Sequence, residues 1–157
     1  MTMAEFPPVS WPATAVVTGH GQGRPLLLEQ PLSFWGGCDA AAGRVIEAGH
    51  PQYGHNLSCR VMLMERAKGS SSSSSVLAEA IRNGTGPSAI VMRERDLIVG
   101  LGCIVASELY GLHVPMVVVD ATVWVEMQVH ANGASSIWRI GADAHGECVV
   151  QVVARSD

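Results

Sequence analysis

No two of the four cysteines, Cys38, Cys59, Cys103 and Cys148, stand at C-x-x-C spacing, so the sequence frames neither a zinc cage nor a disulfide scaffold. Reduced, mostly buried thiols are the expectation. Basic clusters are missing as well: ten Lys and Arg are scattered among fourteen Asp and Glu, for a formal charge of −4. That distribution leaves no footprint for a nucleic-acid backbone or an acidic membrane face. No apolar run approaches the ~20 residues of a membrane-crossing helix, and the first eight residues lack the basic and apolar regions of a secretory signal. The chain therefore reads as cytoplasmic, with no nucleic acid and no membrane among its partners. Internal repeats are also absent, and 157 residues with 48% hydrophobic and 15% charged side chains suit one domain, 1–157, around one core.

What the chain does hold is a run of six serines, Ser70 to Ser75, between a strand-like segment at 60–64 and a helix-like segment at 73–82. A serine tract in isolation would be a flexible spacer. Led by Gly69 and followed by helix formers up to Gly84, this one predicts a helix start instead. Hydroxyls there accept from first-turn N–H groups, and the positive end of the helix dipole attracts an anion. A small anion pocket carrying several hydroxyls is one outcome, and a plain capped helix is the other. In a strand-loop-helix geometry only the earliest hydroxyls should face a pocket, leaving Ser73, Ser74 and Ser75 as first-turn residues.

Apolar runs at 15–17 and 26–28 flank a Gly- and Pro-containing stretch at 20–25, which predicts a β-hairpin or a bent strand pair. Residues 31–56 hold seven Gly and Pro and predict a long loop, a feature that in a compact fold carries function or covers something. Next come a strand at 60–64, a helix at 73–82, and a strand at 89–92 after Gly84-Thr85-Gly86-Pro87. A helix at 99–109 closed by Gly111 and a β-branched strand at 114–119 ending in Asp120 complete a parallel βαβαβ centre. Further on, alternation at 122–130, the hairpin signal Asn132-Gly133 and the runs at 137–140 and 148–153 predict antiparallel strands. The expected class is α/β, a mixed sheet with antiparallel strands around that centre. His50 and His55 read as hydrogen-bonded or surface loop histidines with no third ligand in sight, and Asp120 as a turn former.

The segment Pro31-Leu-Ser-Phe-Trp-Gly-Gly37, then Asp39, Gly43, His50-Pro51, the stretch from Gly69 through Ala80, and Gly84-Thr-Gly-Pro87 with Ala89-Ile-Val91 together carry a resemblance. From about residue 16 to 120 the chain resembles the small subunit, or swivel domain, of aconitase X. The resemblance implies a swivelling β/β/α domain and a dehydratase subunit that works beside an aconitase X large subunit. It implies that Ser70 is the catalytic base; Lys68 and the backbone N–H groups of Ser71 and Ser72 are the donors placed to stabilise its alkoxide and to hold a small carboxylate substrate, and Ser33, Trp35, Gly36 and Gly37 read either as a turn whose aromatics fill a core gap or as a loop on the partner or beside the active site. Trp35 is then expected to be partly exposed. No metal ligand and no cofactor are implied for this chain, with an iron–sulfur cluster expected in the partner. The unbroken serines resemble the bacterial members, which dehydrate cis-3-hydroxy-L-proline to Δ1-pyrroline-2-carboxylate. A mevalonate 5-phosphate dehydratase small subunit, or a stand-alone non-enzymatic anion-binding module, are the alternatives. The chain departs from the family pattern at Cys59, where glycine is expected, at Cys38, where an apolar residue is usual, and at residues 64–69, where Glu65 alters the local charge.

Overall fold

The computed structural model describes residues 9–132, 136–144 and 148–153. Seven strands close into a barrel in the order β1 (Ser10–Val17), β7 (Met116–Val118), β6 (Ala89–Met92), β5 (Arg60–Met64), β2 (Gly19–Leu28), β8 (Ile137–Ala142) and β9 (Cys148–Val153), with β9 pairing back onto β1. β2, β5, β6 and β7 are mutually parallel neighbours, as the βαβ reading requires. The remaining pairings of the barrel are antiparallel. Two helices make the crossovers, α2 (Ser73–Arg82) from β5 to β6 and α3 (Leu97–Tyr110) from β6 to β7. The long connection from β2 to β5 holds one kinked turn, α1 (Phe34–Gly37), and a small hairpin of β3 (Cys38–Asp39) with β4 (Arg44–Val45). No helix among the described residues is long and apolar enough to cross a membrane.

β5 and β6 are apolar at nearly every position because both faces are covered. Side-chain alternation then divides them. Val61, Leu63, Ala89, Val91 and Val117 join Trp11, Trp138, Ile140 and Val150 in a cluster fed from around the barrel. Met62, Met64, Ile90, Met92 and Met116 face the other way, packing with Leu77, Ile81, Val99 and Cys103 of the crossover helices. Two clusters thus stand where the sequence suggested one core. α3 begins at Asp96, whose carboxylate accepts from the N–H groups of Ile98 and Val99 at 2.9 Å each, and it ends at Gly111 in the left-handed region (φ 65°).

Three expectations are corrected. Residues 122–130 form a helix, α4 (Ala121–Ala131), rather than a strand. Their apolar and polar residues alternate, yet the buried ones are Val123, Trp124 and Met127, a helical spacing that covers one end of the barrel cluster. Asp120 is the local cause, because its carboxylate accepts from the Val123 N–H at 2.8 Å and starts a helix instead of a turn. Asn132 is the C-cap of α4, and Gly133 lies outside the described residues. Second, β1 and β2 do not form a hairpin with each other: β1 pairs with β7 and β9, and β2 with β5 and β8. Third, Ser72 at the N-cap of α2 makes no side-chain capping bond; the N–H groups of Ser73, Ser74 and Ser75 go to the carbonyls of Ser70, Ser71 and Ser72.

The Gly-rich stretch expected to turn is the first half of β2, and its glycines have a steric reason. A Cβ on Gly23 would land on the carbonyl oxygen of Cys59, and one on Gly21 on that of Ser88. Cys59 itself stands in the left-handed region (φ 60°), which explains why glycine is expected there. Gly23→Ala should therefore cost roughly 1–3 kcal/mol through overpacking against fixed backbone. Cys59→Gly should stabilise by up to about 1 kcal/mol, since glycine relieves left-handed strain at some cost in unfolded-chain entropy. Urea midpoints check both, and a Cys59→Gly midpoint below wild type would contradict the strain.

Candidate active site

The serine tract follows β5 at the carboxyl end of the parallel strands, where α/β folds place their crevices. A cavity of about 110 Å³ opens there, lined on one side by Lys68, Gly69, Ser70 and Ser73 and on the other by Asp96, Ile98 and Val99, with Leu32 and Phe34 among its apolar residues. Ser70 precedes the helix, and its Oγ accepts from the Ser72 N–H at 3.1 Å. Ser71 and Ser72 are exposed and do not line the cavity, whereas Ser73, expected to be a plain first-turn residue, is buried and does. Ser74 turns away, its hydroxyl donating to the Ile98 carbonyl of α3 at 2.6 Å.

The two segments singled out in the sequence meet here. The Trp35 N–H donates to Ser73 Oγ at 3.1 Å, the Ser33 hydroxyl donates to the Trp35 carbonyl at 2.9 Å, and Ser33 Oγ lies 3.4 Å from Ser73 Oγ. Gly69 permits this approach: its φ is 102°, and a Cβ would collide with Ser33 Oγ. Phe34 is buried while Trp35 is 59% exposed, so the loop drops one aromatic into the core and holds the other outward. Gly36 takes φ 80° to make the kink, and Gly37 is buried against Leu32. Lys68, the only lysine of the chain, pairs with Glu47 at 3.1 Å and not with Glu65. Asp96 was not singled out from the sequence, although an acidic residue before the apolar run 97–99 is a helix-start signal.

His50 is buried with both ring nitrogens used: Nε2 lies 3.0 Å from the Gln30 carbonyl, and Nδ1 accepts from the Gln52 N–H at 3.0 Å. It anchors the long loop. His55 is exposed. The Gly84 to Pro87 segment holds the same loop from the far side, since Thr85 Oγ1 donates to the Ala40 carbonyl at 2.6 Å and Ser58 Oγ donates to the Thr85 carbonyl at 3.0 Å.

The sequence profile of a family described as Aconitase X swivel domain matches residues 10–138. A cis-3-hydroxy-L-proline dehydratase of Pseudomonas aeruginosa is 43% identical over 101 residues, which are 64% of this chain and 17% of that protein. A protein of the same name from Hypocrea jecorina is 37% identical over 73% of this chain and 19% of its own length. The chain thus spans less than a fifth of these two relatives. A phosphomevalonate dehydratase small subunit of Methanothermobacter thermautotrophicus is 38% identical over 57% of this chain and 68% of that subunit. In three dimensions, a chain in the crystal structure of Thermococcus kodakaraensis aconitase X (holo-form) superposes with a TM-score of 0.75 at 25% identity, covering 93% of this chain and 99% of that one.

Among the described residues no group of three His, Cys, Asp or Glu is placed to hold a metal ion. The cysteines are dispersed, and their environments differ. Burial pushes the Cys103 thiol up to about 12, and burial with the nearby Asp39 charge pushes Cys38 up to about 11. Cys148 is also raised, by burial and then by Asp143, while Cys59 is exposed. A raised pKa keeps a thiol protonated and unreactive at neutral pH. At pH 7.5 a thiol reagent such as DTNB should therefore titrate one fast-reacting cysteine in the folded chain and four after denaturation, with Cys59→Ser abolishing the fast phase. Two or more fast thiols would contradict the burial.

Proposed function

Because the chain belongs to the aconitase X swivel-domain family, we propose that it is the small subunit of a hydro-lyase and supplies Ser70 as the base in dehydration of cis-3-hydroxy-L-proline. The observation that carries the reading is Ser70 on the cavity wall, held by the Ser72 N–H just before a helix start. A serine hydroxyl ionises only at high pH, so it can act as a base only where donors stabilise its alkoxide. The Ser72 N–H and the positive end of α2 supply that stabilisation, and the Lys68 ammonium at the rim adds a longer-range contribution reduced by Glu47. Ser70 would take the proton from the ring carbon that bears the carboxylate, the electron pair would form the ring double bond, and the adjacent hydroxyl would depart. Tautomerisation of the resulting enamine gives Δ1-pyrroline-2-carboxylate.

The cavity charges favour an imino acid over a phosphorylated hydroxy acid. Among the described residues Lys68 is the only basic one on its wall and is already paired, while Asp96, whose Oδ1 caps α3, brings a second carboxylate oxygen to the same space. A phosphate dianion would find little compensation, whereas the protonated ring nitrogen of hydroxyproline could sit beside Asp96. Among the described residues, the four dispersed cysteines form no ligand set for an iron–sulfur cluster. When bound on the larger partner, the cluster would supply the electron-pair acceptor for the departing hydroxyl.

Co-expression with the large subunit and assay against cis-3-hydroxy-L-proline and mevalonate 5-phosphate tests both activity and substrate. Turnover of the phosphate ester alone would favour the second dehydratase reading, and turnover of neither would favour a non-enzymatic anion-binding module. In the assembled enzyme Ser70→Ala should lower kcat/KM by ~10²–10⁴-fold or more with folding and assembly intact. Ser74→Ala should instead cost about 1 kcal/mol of stability through its lost bond to Ile98, with activity within a few-fold of wild type. Equal losses for both would mean the tract is a structural cap. The purified chain alone should show no visible iron–sulfur band and no turnover; a band lost on mutating one of its cysteines would place the cluster here instead.

A further inference from the structure

α3 carries eleven consecutive residues, 97 to 107, without a charge, and a helix that is apolar all round belongs in an interior. Here only one side of it is interior. Gly102 packs against Leu77 and Ser74 of α2, Gly100 against Val16 and Val17 of β1, and Val99, Cys103 and Ala106 are buried beneath. The opposite stripe faces out: Leu97 is 69% exposed, Leu101 50% and Ile104 45%. These positions follow i, i+4, i+7 spacing, so they form one line along the helix.

That line starts at the candidate site. Leu97 sits between Asp96 and Ile98, both on the cavity wall, and exposed Trp35 is tied to that wall by the hydrogen bond its backbone N–H donates to Ser73 Oγ. Leu97 is thus the exposed apolar residue next in sequence to the cavity wall on α3. We propose that the outer face of α3, through Leu97, Leu101 and Ile104, is a docking surface for the larger dehydratase chain. This rests on the function proposed above, in which a second chain completes the site. The occupant is argued from continuity with the cavity mouth, and from the fact that the chain accounts for only 17% of the Pseudomonas aeruginosa dehydratase, leaving most of that protein to cover an apolar face. The exposed valines of α4, Val125 and Val129, lie on a helix packed over the barrel cluster and do not continue the stripe.

Pull-down of the co-expressed large chain by tagged wild type, Leu101→Asp and Val129→Asp, with kcat measured on each complex, tests this surface. A carboxylate at Leu101 would be desolvated at the interface, so association should weaken roughly 30-fold or more, with Val129→Asp indistinguishable from wild type. Thermal melts of the lone chains show whether Leu101→Asp is folded. Should it not be, hydroxyl-radical footprinting of wild type decides: oxidation at Leu97, Leu101 and Ile104 should fall on assembly while that at Val129 does not. Wild type and Leu101→Asp assembling and turning over equally, with unchanged oxidation of the stripe, overturns the surface and leaves the catalytic reading standing. Wild type that binds no larger chain overturns both. A lone chain that dimerises through Leu101 and keeps that dimer in the presence of the large chain assigns the stripe to a second copy and rejects the proposal.

Discussion

Everything in this structure hangs on the parallel strands β5, β6 and β7, which are covered on both faces. Because side chains alternate, β5, β6 and β7 must satisfy a barrel interior and a helix layer at once, and one residue of slip would exchange the two sets. Val61, Leu63, Ala89 and Val91 are small or branched and fill the barrel. Met62, Met64, Ile90 and Met92 reach the helices, and methionine adapts to an irregular helical surface. Truncating any one of these buried methionines to alanine removes about 2–5 kcal/mol, a large share of the ~5–15 kcal/mol that holds a domain folded. The register of the strands therefore fixes where their carboxyl ends stop and where the cavity opens.

The cavity wall is held by short polar contacts rather than by strong ones. The contacts among Ser33, Trp35 and Ser73 lie in a largely buried place, where an unmade bond would cost about 1–3 kcal/mol. They join the loop to the serine tract and leave Trp35 in solvent. Lys68 and Glu47, by contrast, form a pair whose side chains are 52% and 23% exposed, so it adds at most about 1 kcal/mol. Its importance is electrostatic: it reduces the one basic side-chain charge on the wall among the described residues. In the proposed reading this favours a zwitterion over a dianion.

Exposure tells the same story from outside. A Trp on a kinked turn and a leucine–isoleucine stripe on α3 are apolar groups left to water, one hydrogen-bonded to the cavity wall and the other starting beside it. The cover proposed for that surface is the remainder of a larger dehydratase, since this chain spans less than a fifth of two such relatives.

Local rules were enough for the segments where sequence neighbours and tertiary neighbours agree. Residues 60–64, 73–82, 89–92 and 148–153 were legible to the residue, because their periodicity, flanking glycines and β-branched content all favour one state. Ser33 and Ser70 could be singled out from composition and resemblance, but not their meeting across Gly69, which depends on two segments about forty positions apart. Residues 122–130 misled for a physical reason: their alternation fits a strand, and only the Asp120 cap with the demand to cover the barrel end makes them a helix. Ser73 is the first-turn residue the sequence predicts, but its place on the cavity wall was not legible, because the sequence cannot say which hydroxyls of an unbroken tract turn inward. The sequence by itself determined the elements and their chemistry; the tertiary structure decided which faces meet, since only the closed barrel sets the rotation of each helix and the position of each loop above it.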